Sequence, residues 1–207
     1  MAEIVAYSLK DRERISVYDP TSGSGSLLIT IGKAIEKQGK STDSIRYFAQ
    51  EIIEATYNLT RMNLVMRGII RDNISTSNND TLRTDWPRNT LKDEPLLVDA
   101  VVSNPPYSLK WNGCMAVDPR FQNYGLAPKS AADFAFLLHD LHHLKYDGIL
   151  TIVLPHGVLF RGGEEERIRK QLLKLNQIDA VIGLPPNIFF GTGISTVIMV
   201  LKKSREQ

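Results

Sequence analysis

A rigid polar segment, Asn104-Pro105-Pro106-Tyr107, follows directly after the apolar run at residues 98–102. Because two consecutive prolines cannot continue a strand ladder, the Asn104 side chain and the Pro105 carbonyl are predicted to project in fixed geometry. Two acceptors placed around the N–H bonds of a conjugated amino group favour a pyramidal nitrogen, whose lone pair then points at an activated methyl group. Tyr107 adds a flat face on which a flipped base can stack. The segment predicts methyl transfer to an amino group without a metal or a covalent intermediate; the alternative is a proline-rich end of a strand.

A glycine turn, Asp19-Pro20-Thr21-Ser22-Gly23-Ser24-Gly25, joins another apolar run to a predicted helix. Glycines let the backbone approach a ligand closely, and the start of a helix presents free N–H groups to it. A dinucleotide fingerprint would need a third Gly or Ala where Leu28 stands, and a P-loop would need Gly-Lys-Ser/Thr, which the turn lacks. The Asp19 carboxylate suits a ligand that carries an ammonium group, such as a methionine moiety. An ordinary turn with a capping serine is the alternative.

Two further acids are candidates for ligand binding, one after a predicted strand and one in a predicted loop. Glu51 stands where nucleotide-binding α/β folds place an acid for two ribose hydroxyls, although a solvated acid at the start of a helix fits the same position. Asp80 lies in a polar stretch from which it can accept a hydrogen bond from an adenine amino group. Both residues are predicted to bind a nucleoside.

Three histidines, His139, His142 and His143, share one predicted helix, and the first and last fall on one face as in a zinc site. No acid in the proper motif accompanies them, so we expect no metal. A basic stretch at residues 161–174 reads mainly as a solvated helix face, with phosphate contact as the alternative. Residues 108–129 mix bases with aromatics and read as a surface loop beside the predicted site.

Continuous apolar runs and helical spacings alternate along the chain. The predicted strands are 15–18, 46–49, 98–102, 149–154, 180–184 and 196–201, and the predicted helices are 26–37, 52–67, 131–144 and 164–175. This alternation is typical of an α/β fold with a doubly wound, mostly parallel sheet. The last two strands are joined through Pro185, Pro186, Gly191 and Gly193 without a helix, which predicts a carboxyl-terminal antiparallel hairpin strand. Residues 73–95 are expected to be a surface loop.

Length and composition agree with one domain. The chain has 207 residues with 43% hydrophobic content, and 25 Lys and Arg stand against 23 Asp and Glu. A net charge of +2 is far below that of a protein that binds DNA unaided. The single Cys114 and the lack of an apolar run near about 20 residues indicate a cytoplasmic protein without a membrane partner.

The glycine turn, the two acids and the Asn104–Tyr107 segment together resemble the ordered motifs of amino-methyltransferases that act on DNA. Segments 132–137, 152–160 and 190–196 narrow the resemblance to the modification subunit of type I restriction-modification systems, over almost the whole chain.

The resemblance implies a Rossmann-like methyltransferase fold, S-adenosyl-L-methionine as cofactor, and N6 methylation of an adenine flipped out of double-stranded DNA. It implies a separate specificity subunit and a restriction subunit as partners. It assigns the methionine moiety to Asp19 and the turn at 21–25, ribose to Glu51, the cofactor's adenine to Asp80 and Phe134, and the target adenine to residues 104–107.

Two departures from the family stand at the ends. The family has a helical region with a Thr-Pro motif ahead of the glycine turn and a helical tail after the hairpin, so residues 1–207 are expected to be a single catalytic domain and a fragment. Ser24 replaces a frequent Thr conservatively. No segment is large enough to read several base pairs, so specificity is expected to come from elsewhere.

Two other functions fit the same residues. A protein glutamine N5-methyltransferase faces the same conjugated nitrogen and also uses Asn-Pro-Pro-Tyr, and a non-catalytic scaffold fragment keeps the fold to bind a partner.

Overall fold

The computed structural model describes residues 1–89, 91–113, 118–188 and 193–205. A seven-stranded sheet carries five helices in this described part. The strands are β1 (Ile15–Asp19), β2 (Ile45–Gln50), β3 (Ile74–Ser77), β4 (Val98–Ser103), β5 (Leu144–Pro155), β6 (Ile178–Gly183) and β7 (Thr196–Leu201). The helices are α1 (Ala2–Ser8), α2 (Ser26–Glu36), α3 (Glu54–Met66), α4 (Asp133–His142) and α5 (Glu164–Lys174).

The strand order is β3-β2-β1-β4-β5-β7-β6. All neighbours are parallel except β7, which pairs antiparallel with both β5 and β6. The predicted doubly wound sheet with a carboxyl-terminal antiparallel hairpin is therefore confirmed. Residues 190–192 of the predicted hairpin motif, like Cys114, lie outside the described residues.

The sheet is buried on both faces. Helices α1, α2 and α3 contribute Val5, Leu28, Ile31, Ile35 and Leu64 to one apolar core, and α4 and α5 contribute to a second core on the other face. All six residues of β4 and all six of β7 are buried. Because both faces are covered, these strands are mostly apolar rather than alternating.

Four parts of the chain differ from the sequence-based expectation. Residues 88–89 and 94–95 of the expected 73–95 loop pair as a short antiparallel ladder. Residues 74–77, expected in a surface loop, form the edge strand β3, whose sequence Ile-Ser-Thr-Ser contains only one apolar residue and so carries no strand pattern. Helix α1 was not predicted, since only Val5 and Ala6 of its seven residues are buried. Leu144, expected to end a helix, begins β5 instead.

Among the described residues, no helix combines the length and the apolar character required to cross a membrane.

Candidate active site

The predicted site residues follow strands that end at one edge of the sheet. Strand β1 ends at Asp19 and its parallel neighbour β4 ends at Ser103, with Tyr18 paired to Val101 in register. The glycine turn and the Asn104–Tyr107 segment therefore leave the sheet side by side. The chain also changes direction between these two strands, since β2 and β3 lie on one side of β1 and β4 on the other. Such a switch point is where open α/β sheets form their ligand crevices.

A cavity of about 1180 Å³ lies over this edge. It is walled by the segments that follow β1, β2, β3 and β4, and by residues of the 108–129 region. Eight of the predicted site residues line it: Thr21, Gly23, Glu51, Asp80, Asn104, Pro105, Pro106 and Tyr107. The structure thus brings the two halves of the predicted site into one space of the size that small-molecule sites occupy.

The shape of the glycine turn depends on two glycines with a left-handed backbone conformation and on contacts with helix α3. Gly23 and Gly25 have φ values of 54° and 78°, in the region that glycine adopts without strain. The Cβ of any other residue at position 25 would lie 3.3 Å from the Thr60 side chain. Asn63 Nδ2 donates to the Ser24 carbonyl at 2.9 Å, and Ser22 N donates to the Gln50 carbonyl at 2.9 Å. The turn is therefore fixed from two sides, with Ser22, Ser24 and Gly25 supporting the cavity rather than lining it.

Asp19 sits beneath this turn with only 1% of its surface exposed. Its Oδ1 accepts a hydrogen bond from Thr21 N at 3.0 Å, whereas its Oδ2 is buried and has no partner among the described residues. Burial raises the pKa of Asp19 to about 7. The Thr21 hydroxyl oxygen beside it is likewise buried without a partner in that part of the chain. An oxygen that is desolvated and unpartnered favours a cationic donor, so the turn fits the ammonium group of a ligand.

Glu51 and Asp80 line the cavity on the same side. Glu51 Oε2 accepts from Gly23 N at 2.9 Å and Oε1 accepts from Ile53 N at 2.9 Å. Asp80 Oδ1 accepts from Leu82 N at 2.9 Å. Because each ionised carboxylate has about four acceptor positions, both side chains can also accept hydroxyl or amino donors from a ligand.

The Asn104–Tyr107 segment forms the opposite wall. Asn104 is exposed to the cavity, and its Oδ1 accepts a hydrogen bond from the Tyr107 hydroxyl at 2.7 Å. Burial raises the pKa of Tyr107 to about 12, so this hydroxyl remains a donor at neutral pH.

Helix α4 holds this wall in place. Ser103 donates its hydroxyl hydrogen to Asp140 at 2.5 Å, and Ser108 N donates to Asp133 at 2.8 Å. Asp133 is fully buried and also pairs with Arg161 at 3.0 Å. The Asn104–Tyr107 segment is therefore anchored at both its ends.

Phe134 does not line the cavity. It is fully buried in the apolar core, whereas Phe136, two positions later in α4, reaches the cavity wall. Residues two apart on a helix point in nearly opposite directions, so only one of these rings can face the ligand space. Phe136 is therefore the structural candidate for the adenine contact that the resemblance assigns to Phe134.

The histidine cluster gains an acid from a distant segment. Ligand atoms of Asp85, His139 and His143 lie within 4.8 Å of one another. His143 bonds Asp85 Oδ1 at 3.0 Å and the Leu96 carbonyl at 3.1 Å, and His139 bonds Tyr18 and Arg120. The nitrogens of His139 and His143 are thus already bonded within the protein and belong to a structural hydrogen-bond network. His142 Nε2 is buried without a hydrogen-bond partner among the described residues.

The basic stretch divides into two groups. Arg161, Arg169 and Lys170 bond to protein acceptors, namely Asp133 and Glu165, the Val158 carbonyl, and Glu166. Arg167 and Lys174 are exposed and line, together with Lys170, a separate open groove of about 690 Å³ with residues 122–125. The cations of this groove fit the alternative of phosphate contact.

Comparison with known proteins finds similarity along the whole chain. The family model described as N-6 DNA Methylase matches residues 1–207. The chain is 44% identical over 198 residues to the type I restriction enzyme MpnII methylase subunit of Mycoplasma pneumoniae, covering 92% of this chain and 36% of that protein. It is 29% identical over 194 residues to the HindI methylase subunit of Haemophilus influenzae, covering 92% and 42%.

Solved structures give the same match. The crystal structure of a type I restriction-modification methyltransferase subunit from Streptococcus thermophilus superposes with a TM-score of 0.89 at 47% identity, over 99% of this chain and 44% of that one. The EcoKI M protein superposes at 0.71 with 23% identity, which shows a shared fold. The chain spans between about a third and a half of the length of these relatives.

Proposed function

Because the chain belongs to the N-6 DNA methylase family, we propose that it transfers a methyl group to N6 of adenine in DNA. The observation that carries the proposal is that Asn104 and the glycine turn above Asp19 line one and the same cavity. A methyl donor held by the turn and an amino group held by Asn104 would lie within reach of each other.

We propose S-adenosyl-L-methionine as the cofactor, which supplies an activated methyl group on sulfur. Asp19 Oδ2 and the Thr21 hydroxyl are buried polar atoms without partners in the described chain, and they suit the ammonium and carboxylate ends of the methionine moiety. Glu51 would accept the ribose hydroxyls, and Asp80 would accept the amino group of the cofactor's adenine. Phe136 would provide an apolar contact for the same ring.

On the target side, Asn104 Oδ1 and the Pro105 carbonyl would each accept a hydrogen bond from one N–H group of the adenine amino group. This arrangement removes the nitrogen lone pair from conjugation and directs it at the methyl group, so catalysis rests on positioning and electrostatics. An adenine in a duplex must be flipped at a cost of a few kcal/mol. Stacking on Tyr107, worth roughly 1–3 kcal/mol, would largely offset that cost.

We further propose that the chain is the catalytic core of a type I modification subunit and works with separate specificity and restriction subunits. The support is its similarity to type I methylase subunits at 44% and 47% identity. Three exposed cations, Arg167, Lys170 and Lys174, line the groove beside residues 122–125, too few to supply strong DNA binding alone.

Transfer of a labelled methyl group tests the proposal. Duplex DNA, with and without a specificity subunit, and a glutamine-containing protein substrate are the three arms, and the labelled product is identified as a free nucleoside or amino acid. We expect N6-methyladenine, formed mainly when the specificity subunit is present. Label on glutamine or on another base would refute the adenine assignment, and no label in any arm would favour a scaffold.

Asn104→Ala then tests the catalytic wall. Loss of one charge-stabilising contact in an active site typically costs about 100-fold to 1,000-fold in kcat, and we expect a loss of that order. Asn73→Ala is the matched control, because Asn73 is a partly exposed asparagine at the opposite edge of the sheet that bonds the Asp43 carbonyl. An Asn104→Ala variant as active as the control would refute the assignment.

A further inference from the structure

Arg120 is a buried arginine in the wall of the cavity, only 3% exposed. Its Nε and Nη2 donate to the Asp118 carboxylate at 2.7–3.1 Å, and its Nη2 also donates to the Leu82 carbonyl at 2.9 Å. Its Nη1 donates to the Thr81 carbonyl at 2.9 Å and meets His139 Nδ1 at 3.0 Å. A guanidinium has five N–H groups, and each has an acceptor here. Arg120 therefore holds the protein together and does not need a ligand to complete its hydrogen bonds.

The bond from Arg120 sets the direction of a chain of buried hydrogen bonds. Because a guanidinium cannot accept, His139 Nδ1 must be the acceptor and Nε2 must carry the hydrogen. Nε2 then donates to the Tyr18 hydroxyl at 2.9 Å, and Tyr18 donates to Gln50 Oε1 at 2.7 Å. Gln50 in turn donates to the Asn79 carbonyl at 3.3 Å. Burial lowers the pKa of His139 well below its ordinary value, which agrees with a neutral ring.

The hydrogen bonds that start from Arg120 form two branches, one direct and one through His139, Tyr18 and Gln50. Both branches end on one short segment, residues 79–82. The direct branch reaches the carbonyls of Thr81 and Leu82, and the indirect branch reaches Asn79. The Thr81 hydroxyl donates to the Pro20 carbonyl at 2.5 Å, which connects the same segment to the glycine turn. These residues surround Asp80, so the cofactor side of the cavity is held at several points.

Arg120 itself belongs to the segment at residues 118–125, which has further hydrogen bonds of its own. Phe121 N bonds the Asp118 carbonyl at 3.1 Å, and Gly125 N bonds the Phe121 carbonyl at 2.8 Å. The Phe121 ring packs on Trp111, at 5.7 Å between centroids, and Trp111 lines the cavity. This segment therefore supports the wall that a flipped base would meet.

We propose that Arg120 is a positioning residue that couples the cofactor wall of the cavity, residues 79–82, to the target wall, residues 118–125. The proposal rests on the proposed function, which places the cofactor at Asp80 and the target adenine at Asn104–Tyr107, and it adds residues 118–125 to the target side of the cavity through Trp111. Cofactor binding that orders residues 79–82 then also orders residues 118–125, and the cavity becomes ready for a base only when the methyl donor is present. By linkage, DNA strengthens cofactor binding by the same factor.

Hydrogen exchange of the whole chain tests the coupling without turnover, with S-adenosylhomocysteine as the probe. The amides of Phe121, Tyr124 and Gly125 are hydrogen-bonded, so their exchange reports opening of the 118–125 segment. In the unaltered chain we expect the probe to slow exchange in residues 19–25 and 79–83 and, by at least about fivefold, in 118–125. In Arg120→Lys, which keeps the charge but not the planar set of donors, we expect the effect at 118–125 to fall below about twofold while residues 19–25 stay protected.

Arg12→Lys is the matched control. Arg12 bonds Asp99 at 2.6 Å and Asp147 at 2.5 Å at the amino-terminal edge of the sheet, away from the cavity. A general loss of stability would affect exchange in both variants, whereas loss of transmission is expected in Arg120→Lys alone. If Arg120→Lys does not fold, Asp118→Asn carries the test, because it removes a charged acceptor of Arg120 and is expected to reduce the transmitted protection.

The outcomes separate the two levels of inference. Protection at 19–25 without any at 118–125 in the unaltered chain overturns the coupling and leaves the proposed function standing. Undiminished transmission in Arg120→Lys, or in Asp118→Asn if that variant is used, also overturns the coupling. Absence of protection at 19–25 in the unaltered chain removes the proposed cofactor and the coupling together.

Discussion

Replacement of Asp19 by Asn tests whether an unpartnered carboxylate lies beneath the glycine turn. In the folded chain, burial raises the pKa of Asp19 from its ordinary value of 3.8 to about 7. An acid with a raised folded pKa holds its proton in the folded state after the unfolded chain has lost it. The contribution of this group to stability is therefore full below about pH 4, decreases as the pH rises, and is gone above about pH 7.

The size of the effect follows from the shift. About three pKa units at about 1.4 kcal/mol each correspond to roughly 4 kcal/mol in total, and about half of it is lost between about pH 5.5 and pH 8.5. Asn resembles the protonated acid in shape and in its lack of charge, so the variant avoids the loss. We expect the free energy of unfolding to fall by about 2 kcal/mol more in the unaltered chain than in Asp19→Asn over that range.

Urea unfolding of both chains at the two pH values measures this difference, and other titrating groups cancel between them. Asp99→Asn is the control, because the pKa of Asp99 is shifted in the opposite direction from that of Asp19. Burial works to raise the pKa of Asp99, but hydrogen bonds from Ser16 and Lys145 outweigh it and hold the pKa below its ordinary value. Its replacement should cost the same at both pH values. An equal pH dependence in the unaltered chain and in Asp19→Asn would refute the buried unpartnered carboxylate.

Substitutions at two further positions test the cavity walls. Tyr107→Phe keeps the ring and frees Asn104 Oδ1 from the hydroxyl, so the rate of methyl transfer should stay within about threefold of that of the unaltered chain. Tyr107→Ala removes the ring and should lower kcat/KM by about fivefold to 150-fold through lost stacking. Equal losses of the two variants in steady-state assays would mean that the hydroxyl matters, not the ring. Gly25→Ala should lower stability by about 1–2 kcal/mol because of its positive φ, and should also weaken S-adenosylhomocysteine binding because its Cβ presses on Thr60. Gly39→Ala, with a φ of 83° and open space around it, should show in calorimetry the same loss of stability without the loss of affinity.

The chemistry of the site was accessible from sequence because its parts are local. Asp19 and Asn104 each follow an apolar run, and the carboxyl ends of neighbouring parallel strands meet at one edge of the sheet. Alternating apolar runs and helical spacings also predicted six of the seven strands, because a sheet covered on both faces needs continuous hydrophobic strands. Strand β3 was missed because its stability comes from pairing with β2, and its own residues are mostly polar.

Tertiary structure alone decided which side chains face the cavity and which support it. Helical spacing treats Phe134 and Phe136 as equally apolar, yet only the second reaches the ligand space. The histidines at the end of α4 have no acid in a metal-binding motif beside them, and Asp85 joins them from more than 50 residues away in the sequence. Arg120 looked like one cation in a polar loop, whereas the fold buries it and surrounds it with acceptors from three segments. The sequence predicted the groups that we propose to react because each depends on its own residue type and its neighbours along the chain, whereas burial and hydrogen-bond partners depend on residues that only folding brings together.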